Sequence, residues 1–313
     1  MRRSGEEKGC AVNERSVSTQ VAVLGLGAMG LPMATRLAEH LPVSGYDPNP
    51  SRLELAEKAG IRPAETAALA CGHADVAVIS VRTAAQMELV LFGPDGVAQS
   101  LRAGASIVMT STVGADAVRS AAAALGPLSI GLVDAPVSGG SLRAARGDLL
   151  VMVGAQPDHL EAAQQVLDLL GSTVHVVGPQ PGDGQLMKTV NQLLCGVHTA
   201  AAAEALALAD SLGLDLETCL QVLQSGAAAS FMLADRGPRM IEQLRHEPVE
   251  LRSRTDVMSK DMGIVQDLCE ASGVFAPVAG AAHRKYLAAL QAGLAQHDDS
   301  SLVTMTGSSA EPV

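Results

Sequence analysis

An α/β domain followed by an all-α domain is the architecture this sequence predicts, on three observations. Short apolar runs alternate with amphipathic segments of about ten residues from Val21 to Gly178, the pattern of a largely parallel sheet covered by helices. That rhythm stops at "GPQPGDG", Gly178 to Gly184. Beyond it, "QLMKTVNQLLCGVHTAAAAEALALADS" runs from Gln185 to Ser211 without a proline, which predicts one helix roughly 40 Å long at about 1.5 Å per residue. The boundary therefore falls at Gly182, between an α/β domain over 20–182 and a helical domain over 183–300 built around that long helix.

The elements follow in order. Val21 to Leu24 is an apolar strand that enters Gly25, Gly27 and Gly30, and "LPMATRLAEH" continues as a helix. "PVSGYD" is a second strand ending at Asp47, and "PNPSRLELAEKAG" is a turn and helix closed by Gly60. "ADVAVISV" is a buried strand, and "AQMELVLFGPDGVAQSL" is a helix with a turn inside it. "ASIVMTST" and "GLVDAPVS" are strands around the helix "DAVRSAAAAL". "GDLLVMVGA", "HLEAAQQVLDLLG" and "STVHVVGP" complete the alternation as strand, helix and strand. In the second half, the alanine-rich end of the long helix predicts burial by other helices, from this chain or a second subunit. "DLETCLQVLQSG", capped by Asp215, "RSRTDVMSKDMGIVQDLCEASG" and "VAGAAHRKYLAALQAG" are further helices. The polar composition after Gln296 predicts a disordered tail over 301–313, and residues 1–19 read as a disordered leader.

Composition narrows the function. The chain has 313 residues, 48% of them apolar, enough for a large core. Its 22 basic and 33 acidic residues give a net charge of -11, which argues against nucleic acid and anionic membranes as partners. No unbroken run of eighteen apolar residues predicts a membrane span. Five scattered cysteines without a CxxC pair suit a reducing compartment, and the expected location is the cytoplasm. The eight histidines form no HxxxH or HExxH pair, so no metal is expected; "HDD" at His297 reads as a polar cluster near the chain end rather than a metal site.

"GLGAMG" (Gly25, Leu26, Gly27, Ala28, Met29, Gly30) follows a strand and opens a helix. That is the context a dinucleotide fingerprint requires. In it, Gly25 permits the turn, Gly27 admits a pyrophosphate and Gly30 allows close packing of helix on sheet, while the helix N-terminus offers N–H groups to phosphate. The competing reading is an ordinary strand-to-helix turn. Asp47, at the end of the second strand, favours the nucleotide reading, because a carboxylate there takes the ribose hydroxyls. Its charge also favours NAD over NADP, with Arg52 as an opposing influence. The domain is accordingly expected to be of the Rossmann type.

Four further stretches, "STV" at Ser111, "DAPVSGGSLRAARGDLLVMVG" from Asp134, "GDGQLMKTVNQLL" from Gly182 and "SKDMG" from Ser259, complete a resemblance to the β-hydroxyacid dehydrogenases, the relatives of 6-phosphogluconate and 3-hydroxyisobutyrate dehydrogenases. It spans about residues 20–300. The resemblance implies an NAD-dependent oxidoreductase whose substrate, a small hydroxy acid, lies between the two domains, and a homodimer or homotetramer formed through the helical domain. It makes Lys188 the catalytic lysine, with Asn191 on the same helix face at i+3. It assigns Ser138, Gly139 and Gly140 to the substrate carboxylate, and Val81, Arg82, Thr83 and Thr112 to the nicotinamide side. Lys260 is implied to contact substrate or cofactor, while Asp261 beside it has no assigned function. Gln192 stands where many relatives carry asparagine and is implied to reshape the substrate pocket. "VLFGPDG", "QLLCGVHTAAAAEALALA" and "DDSS" are most similar to members that oxidise L-threonate. The alternatives are oxidation of 3-hydroxyisobutyrate, reduction of glyoxylate or succinic semialdehyde, and a non-catalytic NAD-sensing protein. Cys195 and His198 share a helix face, and their reading as packing residues is preferred to thiol catalysis.

Overall fold

Strand β1 (Val21–Leu24) lies at the centre of the sheet and is buried over its whole length. The structure, a computed structural model, describes residues 18–306; of the leader expected over 1–19, residues 1–17 lie outside the described residues, as do residues 307–313 of the tail expected over 301–313. Val21 and Val23 face one hydrophobic layer, whereas Ala22 and Leu24 face the other. This is the period-two alternation of a strand covered on both faces.

The chain proceeds through α1 (Gly30–Ala38), β2 (Val43–Tyr46), α2 (Pro50–Lys58), β3 (Arg62–Pro63), α3 (Ala67–Cys71), β4 (Val76–Ile79), α4 (Ala84–Phe92), β5 (Ser106–Met109), α5 (Ala115–Leu125) and β6 (Gly131–Asp134). It continues with β7 (Val137–Ser138), α6 (Gly140–Arg146), β8 (Leu150–Gly154), α7 (Pro157–Leu170) and β9 (Thr173–Gly178). The sheet order is β3-β2-β1-β4-β5-β6-β8-β7, with β9 beside β8. Strands β1 to β6 are parallel, while β8 runs antiparallel to β6 and β7. Helices α1, α2, α6 and α7 cover one face and α3, α4 and α5 the other. Strand order reverses between β1 and β4, so the ends of these two strands open the crevice where doubly wound sheets bind ligands.

The helical domain comprises α8 (Asp183–Ser211), α9 (Leu216–Gln224), α10 (Phe231–Leu244), α11 (Thr255–Ser272), α12 (Pro277–Gln291) and a 3-10 helix, Asp299–Thr306. Helix α8 is its axis, with α10, α11, α12 and the 3-10 helix packed against it. Among the described residues α8 alone has the length and apolar composition to cross a membrane, although it holds no unbroken apolar run. Within this fold it is a core helix: its polar residues Gln185, Lys188, Thr189, Gln192 and Thr199 are buried against protein.

Two features differ from the sequence expectations, and a third, the covering of α8, is left open by the single chain. Helix α10 was not among the expected elements, and it carries Pro238 within it. It forms because Ser230 caps its first turn and Met232, Leu233, Met240 and Ile241 are buried. Gly237 is where Leu220 packs, a Cβ there falling 2.5 Å from Leu220 Cδ1. The tail expected to be disordered from 301 is ordered through Thr306. Leu302 and Val303 enter the core, and buried Asp299 and Asp298 pair with Arg236 at 3.1 Å and Arg239 at 2.9 Å on α10. "HDD" is therefore a clasp on the core, not a solvent-facing cluster. Finally, the apolar residues of α8 are not all covered. Met187, Val190, Leu194, Leu208 and Leu212 lie along one side of the helix and are exposed in the single chain.

Candidate active site

The glycine loop is built by steric necessity, apart from one residue. Gly25 has a φ of +89°, and a Cβ there would overlap the Ser80 carbonyl at the end of β4; a Cβ on Gly30 would overlap the Gly25 carbonyl. These two glycines are required by the β1–α1–β4 packing itself. Gly27 is different, for a Cβ there has nothing within 4 Å. Its small size is explained by a group that approaches from outside. Helix α1 has no side-chain cap at Met29, so its first N–H groups face that same space, as phosphate binding requires. Asp47 secures the loop: its Oδ2 accepts from the Leu26 N–H at 2.7 Å and its Oδ1 from the Asn49 N–H at 2.9 Å. Each oxygen keeps a lone pair for a ribose hydroxyl. The residues present thus fit a dinucleotide.

The neighbouring strand ends converge on the same crevice. The Val81 N–H donates to Ser111 Oγ at 2.8 Å, which joins the segment after β4 to the segment after β5. The Arg82 N–H donates to Gln86 Oε1, and Thr83 caps α4 by accepting from the Gln86 N–H. Thr112 presents its carbonyl to the helical domain, where Lys260 Nζ donates to it at 2.6 Å. This bond links the segment after β5 to α11. A cavity of about 730 Å³ lined by Arg119, His159 and Gln180 lies elsewhere and contains none of these residues.

Lys188 is on α8 with 6% of its surface exposed. Among the described residues, none accepts a hydrogen bond from its Nζ. Burial holds its pKa below the ordinary lysine value; the charge of Asp261, and more weakly that of Cys195, draws it back up, and Lys260 pushes it down. Asp261, on α11, accepts from Gln192 Nε2 at 2.6 Å and has its other oxygen 2.8 Å from Lys260 Nζ, without an aligned hydrogen bond. Gln192 Oε1 in turn accepts from Asn191 Nδ2 at 3.0 Å. Both ends of the Gln192 amide are thus engaged by neighbours, and it bridges Asn191 to Asp261. Burial pushes the Cys195 thiol up, and its sulfur accepts from Asn191 Nδ2 at 3.4 Å, which fits a packing role.

Lys188, Asn191, Gln192, Lys260 and Thr112 are therefore brought together, with Asp261 as their common counter-charge. Ser138, Gly139 and Gly140 lie at the end of β7 and the start of α6, where Gly139 and Gly140 adopt φ of +139° and +76°. They reach the cluster only indirectly. Asp134, four residues before Ser138, accepts from Gln185 Nε2 at 2.8 Å, three residues before Lys188. Asp134 and Gln185 were not singled out from the sequence, although both lie within the stretches that carry the resemblance. Among the described residues, no group of three or more histidine, cysteine or acidic side chains is placed to hold a metal.

Comparison with known proteins agrees with this geometry. Residues 20–178 match the NAD binding domain of 6-phosphogluconate dehydrogenase, and residues 182–306 match the NAD-binding region of NADP-dependent 3-hydroxyisobutyrate dehydrogenase. The L-threonate dehydrogenase of Haemophilus influenzae is 35% identical over 285 residues, covering 90% of this chain and 93% of that protein. The crystal structure of a 3-hydroxyisobutyrate dehydrogenase from Salmonella typhimurium has a TM-score of 0.85 at 35% identity, covering 92% of this chain and 99% of that one. That of a Mycobacterium tuberculosis 3-hydroxyisobutyrate dehydrogenase with L-serine has a TM-score of 0.80 at 28% identity, with the same coverage. Fold and site define an oxidoreductase with an NAD-binding domain that acts on hydroxyl groups. The chain belongs to the β-hydroxyacid dehydrogenase family, of the 3-hydroxyisobutyrate dehydrogenase type.

The open space at Gly27 yields a direct test. Gly27→Ala should leave stability within about 0.5 kcal/mol of the parent chain, yet weaken NADH binding by about tenfold or more, because its methyl stands where a pyrophosphate approaches. A fluorescence titration with NADH measures this, and unchanged affinity would show that the loop does not carry the phosphates.

Proposed function

We propose that the chain oxidises a small polar hydroxy acid with NAD, and that the acid is L-threonate, giving the 2-keto acid 2-dehydro-L-erythronate. The observation that carries the reading is Lys188: an amine desolvated by the fold, without a hydrogen-bond acceptor, facing one carboxylate and a second lysine. Desolvation favours the neutral form, and a neutral amine accepts the hydroxyl proton of the substrate. When bound, the dinucleotide supplies the acceptor for the hydride leaving the carbinol carbon. Lys188, protonated after the transfer, then stabilises the new carbonyl oxygen. Lys260 and the Ser138–Gly140 turn hold the substrate carboxylate, and Asn191 Oδ1, which Gln192 leaves free, accepts from a substrate hydroxyl. Asp47 supports NAD over NADP, because a 2'-phosphate would meet its charge.

One observation separates L-threonate from 3-hydroxyisobutyrate. Similar chains bear both names at 35% identity, so overall likeness does not decide. The Gln192 bridge does favour one: it leaves Asn191 and Lys260 as polar groups for a polyhydroxylated chain, where 3-hydroxyisobutyrate would offer a methyl. NADH formation measured with L-threonate, 3-hydroxyisobutyrate and related acids tests the choice. Tight NADH binding with no turnover on any of them would favour a sensor instead.

The exposed apolar side of α8 supports a homodimer or homotetramer, with a second copy laid along Met187, Leu194 and Leu208. Scattered thiols suit a cytoplasmic location.

Lys188→Ala should lower kcat about a hundredfold or more while NADH affinity is kept; near-parental kcat would remove Lys188 from the mechanism. The base must be neutral, so kcat/KM should rise with pH through the Lys188 pKa. Asp261 raises that pKa, so Asp261→Asn should move the acid limb of the pH profile to lower pH, and a shift to higher pH would contradict the assignment. Leu208→Glu, at a position already 60% exposed in one chain, should reduce the mass seen by light scattering without unfolding the chain.

A further inference from the structure

Gln185 and Asp134 carry no role in the reaction described above, yet every polar atom of their side chains is hydrogen-bonded in the interior. Both are fully buried. Gln185 Oε1 accepts from the N–H groups of Val113 at 2.9 Å and Gly114 at 3.1 Å. Its Nε2 donates to the Ser111 carbonyl at 3.0 Å and to Asp134 Oδ1 at 2.8 Å. These partners flank Thr112, whose carbonyl receives Lys260, and Ser111 Oγ receives the Val81 N–H. One side chain of α8 therefore touches the whole strand-end segment that borders the nicotinamide side of the crevice. Lys188 follows it by three residues, one helical turn away.

The arrangement is directional. Asp134 Oδ2 accepts from the N–H groups of Gly182 and Gln185, both at 2.9 Å, so its carboxylate receives three N–H groups and donates none. Rotating the Gln185 amide by half a turn would set Nε2 against two N–H groups, and Oε1 against a carbonyl and a carboxylate. Only one orientation is satisfied, and a satisfied buried network is rigid.

We infer that Gln185, locked by Asp134, is a positioning residue that sets the height and rotation of Lys188 relative to Ser111–Gly114, a role that rests on Lys188 being the proton acceptor. A shift of about 1 Å between reacting groups costs about a hundredfold in rate, and the junction prevents that shift at the root of α8.

The test exploits the direction of the bonds. Asp134→Asn turns a hydrogen-bond acceptor for Gln185 into a donor, and Gln185→Glu sets a second carboxylate against Asp134. Together the two changes reverse the polarity of the pair: the amide introduced at 134 donates to the carboxylate introduced at 185, which still accepts from Val113 and Gly114. The bond to the Ser111 carbonyl is lost, and a carboxylate oxygen faces that carbonyl instead, so the rescue is partial. Each single variant should lose about tenfold or more in kcat, with NADH affinity and the substrate KM within about threefold. The double variant should regain about tenfold over the worse single one. Parental kcat in the single variants, or a double variant whose loss is the product of theirs, overturns the inference. Should the single variants not fold, a folded double variant within about tenfold of the parent supports it, and a folded, inactive one overturns it. Should the parent chain turn over no hydroxy acid, that failure belongs to the proposed reaction, and calorimetry then reads the junction. The parent should unfold in one transition and Gln185→Ala in two; two transitions in the parent, or one in the variant, overturn the inference.

Discussion

The carboxylate of Asp134 is the constraint on which the site depends. Helix α8 begins at Gly182, whose φ of +101° and lack of a side chain leave the first turn without a cap of its own. Asp134, at the end of β6 in the other domain, supplies that cap by accepting from the N–H groups of Gly182 and Gln185. A negative charge at a helix N-terminus is favourable, and the same bonds offset the burial that lifts the Asp134 pKa to about 6. At neutral pH the group is mostly ionised and able to accept all three of its N–H partners. The axis of the helical domain is thus anchored to a strand end rather than to a linker.

Close backbone packing completes the anchor. A Cβ on Gly184 would fall 2.6 Å from the Met152 carbonyl and 2.9 Å from that of Asp134, so α8 meets β6 and β8 with nothing between them. A second junction lies where Lys260 bonds to Thr112. The two differ in kind. The Asp134–Gln185 contact is fully buried and bonded several times over, whereas Lys260 is partly exposed, with 30% of its side chain accessible, and crosses by a single bond to the Thr112 carbonyl.

Much of this was legible in the sequence, and the reasons for success and failure are physical. The glycine loop was legible because its pattern reports local sterics: Gly25 and Gly30 answer to the Ser80 and Gly25 carbonyls, both within one strand–helix–strand unit. Lys188 and Lys260 entered through resemblance, and the fold places both in one charged cluster. Their counter-charge, Asp261, lies 69 residues from Gln192, its hydrogen-bond partner, and no local periodicity links such positions. Gln185 is harder still, because its partners lie 51 to 74 residues upstream and nothing in its neighbourhood distinguishes it from another helix residue. The segment after Asp299 was misread because its order comes from ion pairs with α10 and from two apolar residues, too few to outweigh its polar composition. On α8 apolar composition predicted burial by helices of this chain or of a second subunit, and the single chain leaves one side of the helix open.

Charge explains how a chain of net charge -11 can receive an acid. Two lysines, Lys188 and Lys260, and one carboxylate, Asp261, meet at the crevice, so an acid finds amine partners there even though the molecule as a whole is acidic. The two lysines are not equivalent. Lys260 is partly exposed, beside Asp261 and bonded to the Thr112 carbonyl, a position that suits it to a carboxylate. Lys188 is desolvated, and an anion bound directly to it would raise its pKa and oppose proton acceptance. In the proposed reaction the substrate carboxylate must therefore be neutralised away from Lys188, by Lys260 and the Ser138–Gly140 turn. Gln192 serves that separation by drawing Asp261 into a hydrogen bond at 2.6 Å, holding the carboxylate on α11 rather than letting it form a direct ion pair with Lys188. An acid and a base thus coexist in one small crevice because the fold keeps their partners apart.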